Sequence, residues 1–103
     1  MKVYKFGGAS VKDAAGVRNL RDIVAGEQEL FITVSAMGKT TNALEAVFGA
    51  MQRGDERTAM EHIDMSYAYH RAIIDDLMGA DRTIKDVDTL FEQLRNTVRN
   101  TIY

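Results

Sequence analysis

Two short apolar stretches, separated by a longer amphipathic one, dominate the first third of the chain. Val3, Tyr4 and Phe6 form a β-prone run that two glycines stop, so a strand is predicted there. Residues 13–25 carry apolar side chains at helical spacing, which predicts a helix. Residues 30–34 are almost all apolar, as in a strand that is covered on both faces. Strand, helix and strand in this order predict a βαβ unit with a right-handed crossover.

The first helix carries signals of its own at both ends. Asp13 is a suitable N-cap, and Gly26 is a suitable stop just past the last turn. Gly16, in the first turns, weakens the helix by roughly 1 kcal/mol relative to alanine. The sequence therefore predicts where this helix begins and ends, with a weak point near its start.

From about Asn42 onward the pattern predicts helices only. Residues 43–53 read as a helix, with Asn42 and Glu45 at the spacing of a capping box. Thr58 and Glu61 form a second pair of this kind, which predicts the start of a longer helix. One face of that helix is predicted to carry Met60, Ile63, Tyr67, His70, Ile74, Leu77 and Met78.

A last helix completes the pattern. The longer helix is predicted to end at Gly79, and Asp86 is predicted to cap the helix that follows. Its inward side chains are expected to be Val87, Leu90, Phe91, Leu94 and Val98. No glycine or proline stops this helix before Ile102 and Tyr103.

The predicted fold class is α/β, and the domain is expected to be incomplete. Sheets usually contain about 4–6 strands, whereas only two are predicted here. We therefore expect residues 1–103 to be the N-terminal fragment of a larger domain, with a βαβ portion over 1–41 and a helical segment over 42–103. A complete small α-rich protein with a two-stranded ribbon is the alternative.

Composition narrows the classes of function. The chain has 103 residues, 46% of them apolar, with a net charge of −2 and no cysteine. No basic stripe favours nucleic acid, and no polybasic cluster favours a membrane surface. His62 and His70 are eight positions apart, too far for a helical metal pair, so no metal ligand is predicted in this chain. A cytoplasmic location is expected, since the start lacks the apolar stretch of a secretion signal.

Residues 7–11, the glycine loop, follow the first predicted strand. That strand brings Lys5 to the carboxyl edge of the sheet, where ligands bind in open α/β folds. Gly7 and Gly8 lack side chains, so their amides can approach phosphate oxygens and can take positive φ angles. Lys5 would supply one positive charge to the same group. A tight turn with a solvated lysine is the alternative.

Residues 35–40, the serine loop, follow the second predicted strand and lead into a helix. Free amides and the helix dipole make such a start attractive to anions. A Walker A loop is excluded because Thr33 stands where that motif needs glycine. The alternative is that Thr40, Thr41 or Asn42 only caps the helix.

Parallel strands would place both loops at one edge of the sheet, which makes the pair more informative than either loop. Lys-Phe-Gly-Gly-Ala-Ser-Val at positions 5–11, followed by Val-Ser-Ala-Met-Gly-Lys-Thr-Thr-Asn at positions 34–42, resembles the start of an aspartate kinase. Ala9 stands where that family commonly has threonine. The resemblance implies the amino-acid kinase fold, an open sheet between helix layers, and it covers about the first 45 residues.

The resemblance also implies a reaction. Aspartate kinases transfer the γ-phosphoryl group of ATP, with Mg²⁺, to the β-carboxylate of L-aspartate, the first step toward lysine, threonine and methionine. By resemblance, Lys5 would act on the transferring group, and ATP would meet Lys5, Gly7, Gly8, Ser10 and Ser35. Ser35 and Thr41 would lie against aspartate.

Other interpretations of the function remain open. The family's substrate-binding glutamate, later catalytic residues, adenine pocket and regulatory domains have no counterpart in these residues, so the chain alone is expected to be inactive. A free-standing helical interaction module is one alternative, and another amino-acid kinase such as glutamate 5-kinase is a second. A fragment is also expected to form homo-oligomers through an exposed edge strand or exposed helix faces.

Overall fold

The computed structural model describes residues 1–80 and 84–101 and has a mixed α/β architecture with one parallel sheet. The elements, in chain order, are β1 (Lys2–Phe6), a 3₁₀ helix (Gly8–Val11), α1 (Ala14–Val24), β2 (Leu30–Val34), α2 (Thr40–Gln52), α3 (Glu56–Met78) and α4 (Lys85–Thr101). They form two compact units, Met1–Thr40 and Thr41–Tyr103.

The sheet of the first unit consists of β1 and β2, paired in parallel. Lys2 lies beside Leu30 at one end of the ladder, and Phe6 lies beside Val34 at the other. The predicted order of strand, helix and parallel strand is thereby confirmed. Because successive residues of a strand face opposite sides, Tyr4 and Phe6 share one face of the sheet.

The prediction that β2 is covered on both faces is wrong for the described residues. Phe31 is 57% exposed and Val34 is 50% exposed. Ile32, between them, is also exposed. An apolar sequence shows that a strand favours burial, but burial needs a second layer, and the described residues leave much of this strand uncovered.

Helix α1 begins and ends as predicted. The Asp13 carboxylate accepts a hydrogen bond from the Gly16 amide at 2.8 Å, which confirms the N-cap. Gly26 follows the helix with a φ of 85°, in the left-handed region that glycine occupies most easily. Beyond it, Glu27 accepts a hydrogen bond from Lys2 Nζ at 2.9 Å. That hydrogen bond, and then the charge of Glu27, raise the pKa of Lys2.

Two of the predicted helix starts in the second unit are wrong. Helix α2 begins at Thr40, so Asn42 lies inside it. Helix α3 begins at Glu56, because the Asp55 carboxylate accepts from the Thr58 amide at 3.1 Å and caps the helix earlier. Thr58 therefore supplies an amide to the cap and does not act as the cap itself.

The other ends show one correction and one confirmation. Helix α4 begins at Lys85, so Asp86 lies in its first turn, where a carboxylate interacts favourably with the helix dipole. Gly79 ends α3 as predicted, with a φ of 93° and its amide donating to the Asp75 carbonyl at 2.8 Å. The predicted run of α4 through Ile102 and Tyr103 lies outside the described residues.

The core of the second unit gathers small and branched apolar side chains from α2, α3 and α4. It consists of Val47, Ala50, Ala59, Ile63 and Val98, with Met51, Met60, Phe91 and Leu94 packed against it. Leu90 was expected to face inward, but it is 65% exposed. It lies at the margin of the stripe formed by the inward residues of α4, because only one side of that helix is covered.

A polar and aromatic cluster joins α3 to α4. The Tyr67 hydroxyl donates to Asp88 Oδ1 at 2.6 Å, and the Tyr67 ring meets Phe91 edge-on with centroids 5.3 Å apart. The Arg95 guanidinium lies over the Tyr67 ring, 5.4 Å from its centroid, and pairs with Asp64 at 3.1 Å. The hydrogen bond to Asp88, with burial as the second cause, raises the pKa of Tyr67.

No helix in residues 1–80 and 84–101 combines the length and apolar character needed to span a membrane.

Candidate functional site

The glycine loop and the serine loop leave the carboxyl ends of β1 and β2 at the same edge of the sheet. The Ser35 amide donates to the Phe6 carbonyl at 2.9 Å and so extends the ladder by one residue. Farther out, the Gly38 amide donates to the Gly8 carbonyl at 3.0 Å. The structure therefore brings together the two motifs that the sequence singled out, and it does so through their main chains.

Gly8 allows this contact because it has no side chain. A Cβ atom placed on Gly8 would lie 2.8 Å from the Gly38 carbonyl oxygen and 2.9 Å from that of Ala36. Cβ atoms essentially never come that close to other atoms, so a larger residue would have to push the serine loop away. A Cβ atom on Gly7 would meet nothing within 4 Å.

The backbone angles correct one expectation about these glycines. Gly7 has a φ of −77°, and Gly8 is not among the glycines with positive φ in the described chain. Gly38 is the loop glycine that takes the left-handed region, with a φ of 54°. Gly38 belongs to the serine loop that the sequence singled out, but no φ angle was predicted for it.

The glycine loop is a short 3₁₀ turn that is fixed by a hydrogen bond near its start and by a buried side chain at its end. The Ser10 amide donates to the Gly7 carbonyl at 3.0 Å, and Val11 anchors the turn with only 2% of its surface exposed. Within the described residues, the amides of Gly7, Gly8 and Ala9 donate no hydrogen bond. Three successive backbone donors are therefore available to a ligand at this edge.

Lys5 stands just before that turn. It lies beside Thr33 in the register and alternates with Phe6, so it occupies the sheet face opposite Phe6. Its ammonium group makes no hydrogen bond and no ion pair within residues 1–80 and 84–101, in contrast to Lys2 at the other end of the strand. Lys5 therefore offers a positive charge at the strand end that the described chain does not neutralise.

The hydroxyl-bearing residues are distributed over both loops and the helix that follows. Ser10 and Ser35 are exposed, and within the described residues neither side chain makes a hydrogen bond. The Thr40 hydroxyl donates to the Met37 carbonyl at 2.5 Å, which fastens the end of the serine loop to the start of α2. Thr41 follows in the first turn of α2 and is exposed.

Lysines lie in or beside both loops. The serine loop contains Lys39; Lys5 and Lys12 lie just before and just after the glycine loop, and Asp13 follows Lys12. In the sequence, Lys39 was considered only as the lysine of a Walker A loop, which Thr33 excludes, and no role was predicted for it. Together with Lys5 and the unpaired amides of the glycine loop, Lys39 places positive charge and hydrogen-bond donors at this edge, which favours anions.

The described part of the chain offers less to a cation. Residues 1–80 and 84–101 contain no group of three or more histidine, aspartate or glutamate side chains placed to hold a metal ion. The amides, hydroxyls and ammonium groups at this edge are groups that can bind an anion.

Neither a protein-family model nor a curated protein matches the chain.

Proposed function

We propose that this chain is the N-terminal part of the amino-acid kinase domain of an aspartate kinase. Such an enzyme transfers the γ-phosphoryl group of ATP to the β-carboxylate of L-aspartate. The observation that carries the proposal is the contact of the two loops, in which Gly38 donates to Gly8 at 3.0 Å beside three unpaired amides. Phosphoryl transfer relies mainly on positioning and electrostatic stabilisation, and the amides and ammonium groups at this edge of the sheet can supply both.

The proposed roles follow from the resemblance. The amides of Gly7 and Gly8 and the hydroxyl of Ser10 bind phosphate oxygens, while Lys5 stabilises charge on the group in transfer. Ser35 lies between nucleotide and aspartate, and Thr41 contacts aspartate, as the resemblance implies. A cytoplasmic location is part of this proposal.

Of the two cofactors that the proposed reaction needs, ATP and Mg²⁺, we assign binding residues in this chain to ATP alone. The phosphates of ATP match the unpaired donors of the glycine loop, so Lys5, Gly7, Gly8 and Ser10 would hold them. Mg²⁺ prefers oxygen ligands, carboxylates above all, and the described residues offer no such cluster. We therefore assign no magnesium ligand to this chain.

A chimera tests the proposal. Residues 1–103 replace the corresponding start of an aspartate kinase, and aspartyl phosphate is trapped as the hydroxamate. The chimera is expected to form aspartyl phosphate. Lys5→Ala is expected to lower its kcat by about 10²-fold or more, as loss of a charge-stabilising group does. The isolated 103-residue chain is expected to form no aspartyl phosphate.

Lys2→Ala is the matched control, because Lys2 lies on the same strand but pairs with Glu27. Its kcat is expected to equal that of the unsubstituted chimera. Equal kcat values for the Lys5→Ala and Lys2→Ala chimeras would contradict the proposed role of Lys5. A chimera that folds but never phosphorylates aspartate would contradict the function itself.

A further inference from the structure

Gly8 occupies the point where the two loops are closest. Its carbonyl accepts the Gly38 amide at 3.0 Å, and the space for its side chain is taken by the carbonyl oxygens of Gly38 and Ala36. The three atoms that surround it all belong to the backbone of the serine loop. Backbone atoms cannot rotate away as the end of a flexible side chain can, so the missing Cβ determines the spacing of the loops.

Gly7, the other glycine of the pair, does not share this property. Gly7 precedes Gly8 in the same loop, has an ordinary φ of −77°, and has nothing within 4 Å of a Cβ position. Two adjacent glycines therefore differ in what they require. One leaves space unused, and the other is in direct contact with the neighbouring loop.

We propose that Gly8 is a positioning residue that couples the serine loop to the glycine loop, so that an anion bound at one loop changes the surroundings of the backbone amides in the other. The inference rests on the proposed function, in which phosphate binds the glycine loop and the acceptor lies at the serine loop. Without close loop contact, donor and acceptor would lose their relative alignment, on which phosphoryl transfer depends.

The test uses the full chain labelled with ¹⁵N and inorganic tripolyphosphate as the probe. In the unsubstituted chain the Gly38 amide is expected to exchange about tenfold more slowly than an unbonded loop amide. Tripolyphosphate is expected to shift the resonances of Gly7 to Ala9 and those of Gly38 and Lys39 with one common Kd.

Gly8→Ala is expected to remove the protection of the Gly38 amide and to leave residues 38 and 39 unresponsive to the probe, while Gly7 and Ala9 still respond. Gly7→Ala, the matched control for loop spacing, is expected to keep the Gly38 amide protected. Gly38→Ala perturbs the same contact from the other side, through its φ of 54°, and is expected to repeat the loss if Gly8→Ala does not fold. Core amides of Ile63 and Val98 report whether each variant is folded.

The outcomes separate this inference from the proposed function. A Gly38 amide that is unprotected in the unsubstituted chain, or still protected in a folded Gly8→Ala variant, overturns the positioning role. Separate Kd values for the two loops overturn the coupling. If tripolyphosphate shifts no amide of either loop while Gly8→Ala frees Gly38, the spacing role stands and the proposed anion site fails.

Discussion

Gly16 illustrates how the surroundings of one residue can reverse its intrinsic preference. By helix propensity alone it is a weak point of α1, and alanine would be preferred there. In the structure, however, a Cβ atom on Gly16 would overlap the carbonyl oxygen of Ser10 and lie 3.3 Å from Asp13 Oδ1. The residue is small because the 3₁₀ turn of the glycine loop packs against the start of the helix.

A pair of glycine substitutions tests this interpretation. Gly16→Ala is expected to lower the free energy of unfolding by about 1–3 kcal/mol, because the added atom must push backbone aside. Gly49→Ala, inside α2, is expected to raise it by up to about 1 kcal/mol through helix propensity. Its Cβ would meet only Arg53 Nη1, at 3.5 Å.

The measurement is a urea titration followed by amide resonances of the unit that carries each substitution, since the chain forms two compact units. Gains of similar size in both variants would mean that helix propensity alone decides and that the contact with Ser10 costs nothing.

At the scale of whole elements, the helices are stabilised by caps at their N-termini and by side-chain packing against one another. Asp55 caps α3 through the Thr58 amide, and Asp13 caps α1 through the Gly16 amide. Helix α4 packs against α3 through Tyr67, Phe91 and Arg95. Capping satisfies amides that would otherwise lack partners, while packing provides most of the stability of a helix.

The cap of α3 predicts a dependence of stability on pH. Hydrogen bonds from the side chain and then the backbone of Thr58 lower the pKa of Asp55 below its usual value of 3.8. Because the folded pKa lies below the unfolded one, the cap stabilises the fold above pH 3.8, and this contribution is lost as the pH falls through the folded pKa. Asp55→Asn is therefore expected to be less stable than the unsubstituted chain near neutral pH, and the difference is expected to vanish in strong acid.

Urea titrations from neutral to acidic pH measure this difference. Glu56→Gln is the control, since it removes a carboxylate from the first turn of α3 but leaves the Asp55 cap intact. Because the Asp55 cap is intact, the stability of Glu56→Gln is expected to follow the pH profile of the unsubstituted chain. Identical pH profiles for Asp55→Asn and the unsubstituted chain would exclude a contribution of the Asp55 charge to stability, since asparagine can still cap the helix.

At the scale of the whole molecule, the first unit exposes much of its sheet. Val3 is 66% exposed and Phe31 is 57% exposed, and the two lie side by side in the register. Strand β2 carries no charged residue, and charged residues are the usual protection of an edge strand. Homo-oligomer formation through this edge stays a prediction, with the helix faces as the other possible route.

Phe31→Lys and Leu90→Lys distinguish the two routes. The unsubstituted chain is expected to associate as its concentration rises, and Phe31→Lys is expected to weaken association about tenfold by placing a charge on the strand. Leu90→Lys alters an exposed apolar residue of α4 and is expected to leave association unchanged. Sedimentation velocity over a range of concentrations measures both. A chain that stays monomeric throughout refutes association, and a loss confined to Leu90→Lys would place it on the helices.

Local signals in the sequence determined the order of the elements, the parallel pairing expected of strand, helix and strand, the Asp13 cap and the stop at Gly79. These follow from short-range patterns, because helical spacing, caps and turns each involve residues a few positions apart. The same signals failed where two candidate starts competed, as Asp55 and Thr58 did for α3.

Only the tertiary structure decided which glycines matter and why. The contact between Gly8 and Gly38, the overlap at Gly16 and the exposure of Phe31 and Leu90 all depend on which distant segments approach one another. Periodicity along a chain states that a residue favours burial or a turn, but the atoms that fill the space around it come from elsewhere in the chain. The main-chain contact between the two loops was therefore beyond the reach of the sequence, although the sequence had named both loops.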